Sequence, residues 1–369
     1  MSGVFTEREI KKIVEVCLCK GDEGLKTWED ILYFLNESLG RDYKDSKTYR
    51  NVFNNHITKT EAYDVKREIQ KDKIKLQDVA REYRSDIRNQ ARLENLIEKM
   101  EESILTLKPF EIETLDIKEE GTDAVVLASD WHYGAKHDNY WGKYNSGIAK
   151  QRVEKYANEI IRYCKLMNVK ELLLINMGDM IEGFIHVSTR IQMEMDAISQ
   201  TIEVSELLAS FIVKIRNELK IPIKVGDVLD NHSRIHPNKK DHIETETLQR
   251  IVREFLVLRL KGTDIEFVRN RIDDNIGYYR LNGKNLVWVH GHLDNPNTVI
   301  ERLSKGLDFK IHDLFIAHRH SILIKENVLQ TGSLKGTDEY AKDKRLFGYA
   351  SQVFRVYDND NKITFEIRF

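Results

Sequence analysis

Five short polar clusters stand in order along the last two-thirds of the chain. They are Asp130-Trp131-His132, Gly178-Asp179-Met180-Ile181-Glu182, Asp230-Asn231-His232, His290-Gly291-His292 and His318-Arg319-His320. Each offers metal-type donors. Most follow an apolar run that reads as a buried strand: Ala124 to Ala128, Leu172 to Ile175, Ile221 to Val228, Leu286 to Val289 and Leu314 to Ala317. Open α/β sheets place their sites beyond the carboxyl ends of their strands. Donors at successive strand ends therefore constrain the chain to a fold that gathers those ends together. Carboxylate, imidazole and amide donors in combination suit a pair of hard or borderline cations such as manganese, iron or zinc.

Between these runs lie amphipathic helical patterns over Gly147 to Met167, Ala197 to Leu219 and Glu244 to Arg259. From Ile265 onward short strands follow at close spacing: Ile265 to Val268, Tyr278 to Leu281, Val328 to Gln330, Gln352 to Tyr357 and Ile363 to Ile367. Residues 118–369 thus read as an α/β domain, a two-sheet sandwich with helices outside.

The ordered clusters resemble the calcineurin-like metallophosphoesterases. That family's pattern is Asp-x-His, Gly-Asp-x-x-Asp/Glu, Gly-Asn-His-Asp/Glu, a His followed by Gly, then Gly-His-x-His. The resemblance runs from about residue 122 to the C-terminus. It looks most like phage-encoded relatives of the nuclease subunit of the bacterial SbcCD repair complex, through the N-terminal extension, Asn231-His232-Ser233-Arg234 and Gly332-Ser333-Leu334-Lys335-Gly336. Two positions depart from the pattern. Asp230 stands where the family has Gly, and Ser233 stands where it usually has the acid that partners the catalytic His.

The resemblance implies a metallophosphoesterase sandwich and a phosphodiester hydrolase, with a nuclease acting on DNA as the first expectation. It implies two divalent ions, manganese foremost, with iron, zinc and magnesium as alternatives. Asp179 would bridge them. Asp130, His132 and His320 would hold one, and Asn231, His290 and His318 the other. His232 would be the general acid, and Asp179 and Asn231 would serve the chemistry through the ions. His292 is an alternative to His290, and Glu182 is expected behind the ligands, not among them. Arg234, His236, Lys239 and Lys240 form a loop that could clamp substrate phosphates, with His186, Arg190, Lys335 and Lys342 as weaker options. Trp131 and Tyr133 could stack a base or pack in the core.

The N-terminal third is built differently. Residues 1–57 read as three short helices, a helix-turn-helix-like unit. Thr6 with Glu9 makes a capping box, Thr27 an N-cap and Gly40 a stop, while Ser46 opens a third helix carrying Lys47, Arg50, Asn51 and Asn54. Residues 58–110 read as a long helix or coiled-coil linker. Between 60 and 106 there is neither Pro nor Gly, and apolar residues recur at Ile69, Leu76, Tyr83, Ile97 and Ile104 and at Val79, Leu93 and Met100, with Asp72, Asp86 and Gln90 interrupting the seam. Such a seam allows a homodimer. Arg81, Arg84, Arg88 and Arg92 share one helical face, either as a solvated face paired with Asp78, Glu82 and Asp86 or as a stripe that tracks nucleic-acid phosphates.

Composition bounds the partners. The net charge of −2 and isoelectric point near 6.7 exclude a basic nucleic-acid coat, so nucleic-acid contact has to come from local patches. No apolar run is long enough to span a bilayer, and Met1 to Lys12 lacks the apolar core of a signal peptide. Cys17, Cys19 and Cys164 fit no disulfide framework or zinc motif, which together point to a cytoplasmic protein. DNA is expected ahead of RNA as partner, and the resemblance adds an SbcC-like ATPase. Two other classes compete: a phosphodiesterase or phosphatase for small nucleotides or phosphoproteins, and a DNA-binding scaffold with a degenerate site.

Overall fold

The computed structural model describes residues 5–22, 24–57, 59–185, 193–236, 243–269, 272–359 and 361–369; the side chains of 59–63, 85, 86, 89, 90, 92 and 93 lie outside that description. The chain forms two compact units, Met1–Arg92 and Leu93–Phe369.

In the first unit, α1 (Glu7–Leu18), α2 (Trp28–Leu39) and α3 (Lys47–His56) bury Ile13, Cys17, Ile31, Leu35 and Tyr49 among themselves. Thr6/Glu9 and Thr27/Asp30 both close capping boxes, and Gly40 ends α2 in the left-handed conformation. Ser46 makes no side-chain cap. Instead Asp45 Oδ1 accepts from Lys47 N at 2.8 Å, because Ser46 itself is already in helical geometry. On α3, Arg50 lies over the Trp28 ring at 4.5 Å.

The helix α4 (Lys59–Thr106) is 48 residues long and crosses from one unit into the other. Leu76, Val79 and Tyr83 of the expected seam are exposed, as is Ile87, while Leu96 and Met100 are buried in the second unit. Arg81, Arg84 and Arg88 are exposed, Arg81 standing 3.7 Å from Asp78; Arg92 and Leu93 are outside the described side chains.

The second unit is a layered α/β fold. One sheet has the order β13 (Asn361–Arg368), β12 (Ser351–Asp358), β1 (Thr122–Ala128), β4 (Val169–Asn176), β5 (Ile223–Asp227), β6 (Glu266–Phe267), and the other β10 (Leu323–Ile324), β11 (Val328–Gln330), β9 (Asp313–Ile316), β8 (Lys284–Val289), β7 (Gly277–Leu281). The strands that matter for the site are β1 (Thr122–Ala128), β4 (Val169–Asn176), β5 (Ile223–Asp227), β8 (Lys284–Val289) and β9 (Asp313–Ile316). β1, β4 and β5 run parallel, and so do β8 and β9. Strand alternation builds three apolar layers. Val125 and Leu127 point inward with Leu173, Ile175, Trp288 and Phe315, filling the space between the sheets. Ala124, Val126 and Ala128 point the other way, against α5 (Ser146–Leu166), α6 (Ala197–Leu219) and α7 (Leu248–Arg259). Val287, Val289, Leu314 and Ile316 face α8 (Val299–Gly306) on the far side. A one-residue slip of any strand would exchange these faces, and each buried Leu or Ile contributes roughly 1.5–3 kcal/mol. The register is thereby held, and the strand ends with it.

The expected helix from Glu244 begins at Leu248, capped by Thr247 Oγ1, and the strand expected from Ile221 to Val228 is shorter at both ends. A hairpin of β2 (His137–Asn139) and β3 (Gly142–Tyr144) and a short α9 (Glu339–Lys344) complete the unit. Among the described residues, no helix is long and apolar enough to cross a membrane.

Candidate metal centre

The five strand ends meet. Asp130, His132, Asp179 and His320 form one group of donors, and Asp179, His290 and His318 form another, each with its ligand atoms mutually within 4.8 Å. Asp179 belongs to both. Asn231 joins the second group, its Oδ1 lying 3.0 Å from His290 Nε2.

The turns after β1 and β4 are locked together. Asp130 N donates to Gly178 O and His132 N to Asp179 O, both at 3.0 Å. Gln352 clamps the first turn from β12 (Ser351–Asp358), accepting from Ser129 N and donating to Ser129 O and Gly332 O. Gly178 has φ +90°, and a Cβ there would stand 2.5 Å from the Cβ of Asp230. Gly183, at φ +69°, is pressed against the carbonyl oxygen of His232 and likewise admits no side chain.

Asp130, His132, Asp179, His318 and His320 all have positive φ, between 46° and 68°. Non-glycine residues seldom adopt that region, and such strain concentrates where function holds it. Five of the seven expected ligands share it.

The donors crowd together as groups that could hold a metal ion do. His132 Nε2 faces His320 Nε2 at 3.0 Å, and His320 Nε2 faces Asp130 Oδ1 at 3.3 Å. Asp179 Oδ2 lies 3.1 Å from His290 Nε2 and 4.0 Å from His318 Nδ1. Asp130 Oδ1, Asp179 Oδ2 and His318 Nδ1 are buried without a hydrogen bond. Burial raises the Asp130 pKa, but His320 outweighs it and holds the group down at about 2; Asp179 is likewise held well below the carboxylate range, chiefly by His290. Burial lowers His290, yet the Asp179 carboxylate outweighs it and lifts His290 to about 10. His290 and Asp179 thus stabilise each other's charged forms.

Behind the ligands stands a layer of polar partners. Glu182 Oε2 lies 2.9 Å from His132 Nδ1 and 3.1 Å from Lys335 Nζ, and Lys335 also meets Asp338 at 2.6 Å. Lys335 is therefore buried and paired, not free to meet substrate as expected. Burial, then Lys335, lower His132 to about 4, so it is a neutral imidazole. His290 Nδ1 faces Met177 O at 2.8 Å, which presents its Nε2 to the site.

His232 belongs with this centre. Its Nδ1 faces Glu182 O at 2.8 Å, its backbone N donates to Asp179 Oδ1 at 3.0 Å, and its ring lies edge-on to His132 at 4.6 Å. The carbonyl of Glu182 takes the place of the acid that Ser233 lacks. Asp230 is equally accommodated: its carboxylate accepts from Asp179 N, Ser233 N and Ser233 Oγ at 2.7–3.0 Å, and no positive φ is required there. Burial and the Asp179 charge push Asp230 up to about 6.

The other expected residues divide. Arg234 is half-buried with Nη1 3.4 Å from Asn231 O, and His236 is half-buried in the same loop. Lys239, Lys240, His186 and Arg190 lie outside the described residues. His132, Glu182 and His232 make a third donor group, and His292 is in none of the three, its ring 5.5 Å from that of His290. Lys342 is half-buried beside Glu339. Trp131 and Tyr133 are wholly buried and cannot stack a base; Trp131 packs edge-on against Phe211. Sequence reasoning missed the Lys335 and Asp338 pair, for which a lone Lys in a Gly-Ser-rich run carries no signal.

Comparison with known proteins gives four matches. A model of the YonJ coiled-coil domain matches residues 65–106. The SPbeta prophage-derived uncharacterized protein YonJ of Bacillus subtilis (strain 168) is 26% identical over 378 residues, covering 94% of this chain and 92% of the relative. Among solved structures, Chaetomium thermophilum Vps29 has 10% identity and a TM-score of 0.28, covering 67% of this chain and 97% of its own. The calcineurin-like phosphoesterase YfkN from Bacillus subtilis has 12% identity and a TM-score of 0.28, covering 67% and 91%.

Proposed function

We propose that this chain is a metal-dependent phosphodiesterase that cleaves nucleic acid, DNA foremost, and that manganese is its working ion. The observation that carries the reading is the shared carboxylate. Asp179 belongs to two donor groups, and a two-oxygen anion at such a point is the natural bridge between two cations. Asp130, His132 and His320 would hold one ion, and Asn231, His290 and His318 the other.

Two bound divalent ions would supply an acidified water and neutralise charge on the phosphoryl oxygens. The remaining work falls to the chain. Glu182 O fixes His232 by accepting from Nδ1–H, which leaves Nε2 to exchange a proton with substrate. As hydroxide from the acidified water forms its bond to phosphorus and the bond to the departing alkoxide breaks, a doubly protonated His232 passes its Nε2 proton to that alkoxide oxygen and keeps its Nδ1–H on Glu182 O. Arg234, half-buried beside Asn231, is a cation that could turn to a substrate phosphate.

The test pairs a chromogenic bis-phosphodiester with a labelled DNA in a gel assay, each with metal-stripped protein and with added Mn²⁺. Cleavage of both, lost in Asp179→Asn, is the expected result. Cleavage of the small diester alone moves the substrate to small nucleotides, and no cleavage of either with Mn²⁺ bound removes the hydrolase reading.

A further inference from the structure

Beside the metal centre lies a set of exposed aromatic rings that the chemistry above does not use. The two-residue loop of the β2–β3 hairpin is Tyr140-Trp141, with Asn139 paired to Gly142. Tyr140 is 93% exposed and Trp141 44%, and their rings stand 5.5 Å apart, edge to face. Across from them, the segment after α9 presents Phe347 at 48% and Tyr349 at 75%. Trp141 and Phe347 stack at 4.9 Å with an interplanar angle of 27°. Large rings exposed together on a polar surface mark a binding face more often than a defect.

This face is tied to its neighbours and runs toward His320. Asn139 Nδ2 donates to Thr337 O at 3.2 Å and to Glu339 Oε1 at 3.1 Å, which ties the hairpin to the start of α9. Tyr349 lines a cavity of about 390 Å³ whose wall also includes His320, Glu366 and Arg368; Arg368 pairs with Glu366 and lies over the Tyr349 ring at 5.1 Å. Lys344 and Arg345 are exposed on the same segment, and Arg319 is exposed between the two histidines of the last cluster. Aromatic faces with cations between them fit a polyanion whose repeating unit is flat. A duplex hides its base faces, so the flat units such rings would meet belong to a single strand.

We propose that Tyr140, Trp141, Phe347 and Tyr349 form a stacking platform for unpaired nucleotides, on which a single-stranded nucleic acid lies as it approaches His320 and the metal centre. This inference rests on the phosphodiesterase reading and deepens it by naming the substrate form. Bases stack on the rings, and the exposed Lys344 and Arg345 meet the intervening phosphates.

The test is binding without cleavage. Full-length wild-type protein in EDTA is titrated against a fluorescently labelled oligothymidylate of about 15 nucleotides, a length that covers such a track, and against a duplex of equal length. Single strand is expected to bind more tightly than duplex. Trp141→Ala and Phe347→Ala should each weaken single-strand binding about tenfold, and Trp141→Phe should restore most of the loss because it restores a flat face. Binding by the Trp141→Ala/Phe347→Ala protein within about twofold of wild type, or equal losses for Trp141→Phe and Trp141→Ala, overturns the platform. If the double variant loses its circular dichroism spectrum, Tyr349→Ala, a change at a largely exposed ring, decides in its place. Diester hydrolysis by metal-loaded wild-type protein reads the enzymatic proposal separately, so the failure of one is not mistaken for the failure of the other.

Discussion

The Nε2 atoms of His132 and His320 face each other at 3.0 Å although 188 residues separate them in the chain. Glu182 sits 2.9 Å from the other nitrogen of His132, so the imidazole proton belongs on Nδ1 and the lone pair on Nε2. A lone pair aimed at a second imidazole and a nearby carboxylate is stable only around a proton or a metal ion.

Removing that orientation should weaken metal binding. Glu182→Gln is expected to lower Mn²⁺ affinity by about 10–100-fold, the usual cost of losing a partner behind a metal-bound histidine. Titration calorimetry of metal-stripped protein checks it, and an unchanged affinity would place Glu182 in the fold alone.

His232→Ala should keep its metal and lose about 10²–10⁴ in turnover, the range for a general acid. Metal content by elemental analysis beside the diester rate separates the two roles. Loss of bound ion in this variant would move His232 among the ligands.

Mn²⁺ should raise the melting temperature of wild-type protein, because a ligand that binds only the folded state stabilises it by mass action. Asp179→Asn should abolish that rise, since a neutral amide bridges two cations poorly. Thermal melts with and without the ion report it.

Ser233→Ala removes one buried donor to Asp230 and should cost about 0.5–1.5 kcal/mol in urea unfolding. Asp230→Ala should cost more, because it leaves Asp179 N, Ser233 N and Ser233 Oγ without their acceptor. The reverse order would mean that Asp230 is not the hub of this turn.

The N-terminal unit should lose stability in acid through Glu9. Its carboxylate accepts from Thr6 N and pairs with Arg41, and the Thr6 backbone bond, then Arg41, lower its pKa from 4.5 to about 2. A depressed folded pKa means that the contribution is complete above the unfolded value and disappears as pH falls through the folded one. Glu9→Gln should flatten the loss between about pH 4.5 and pH 2 in chemical denaturation followed by Trp28 fluorescence. A curve parallel to wild type would remove Glu9 from the account.

The order of donors, the strands before them and the three helical patterns between them could all be read from the chain, because strand alternation and helical period are local properties. So could the caps of α1 and α2, where donor and acceptor sit three residues apart. The pairing of donors, with Asp179 shared, came from the family resemblance and not from spacing. That Lys335 is taken up by Glu182 and Asp338, and that Glu182 O meets His232 Nδ1, depends on two sheets closing face to face in one register. Aromatic position followed the same rule. Trp131 and Tyr133, next to the first ligands in sequence, are buried, whereas Trp141 and Phe347, far apart in sequence, share a surface. Composition gives a ring's size and polarity; only the path of the backbone decides which side of a sheet or hairpin meets water. The positive φ of five expected ligands belongs to that second kind of information. No residue type announces it, and it persists because the packed layers on either side hold the strand ends where the donors converge.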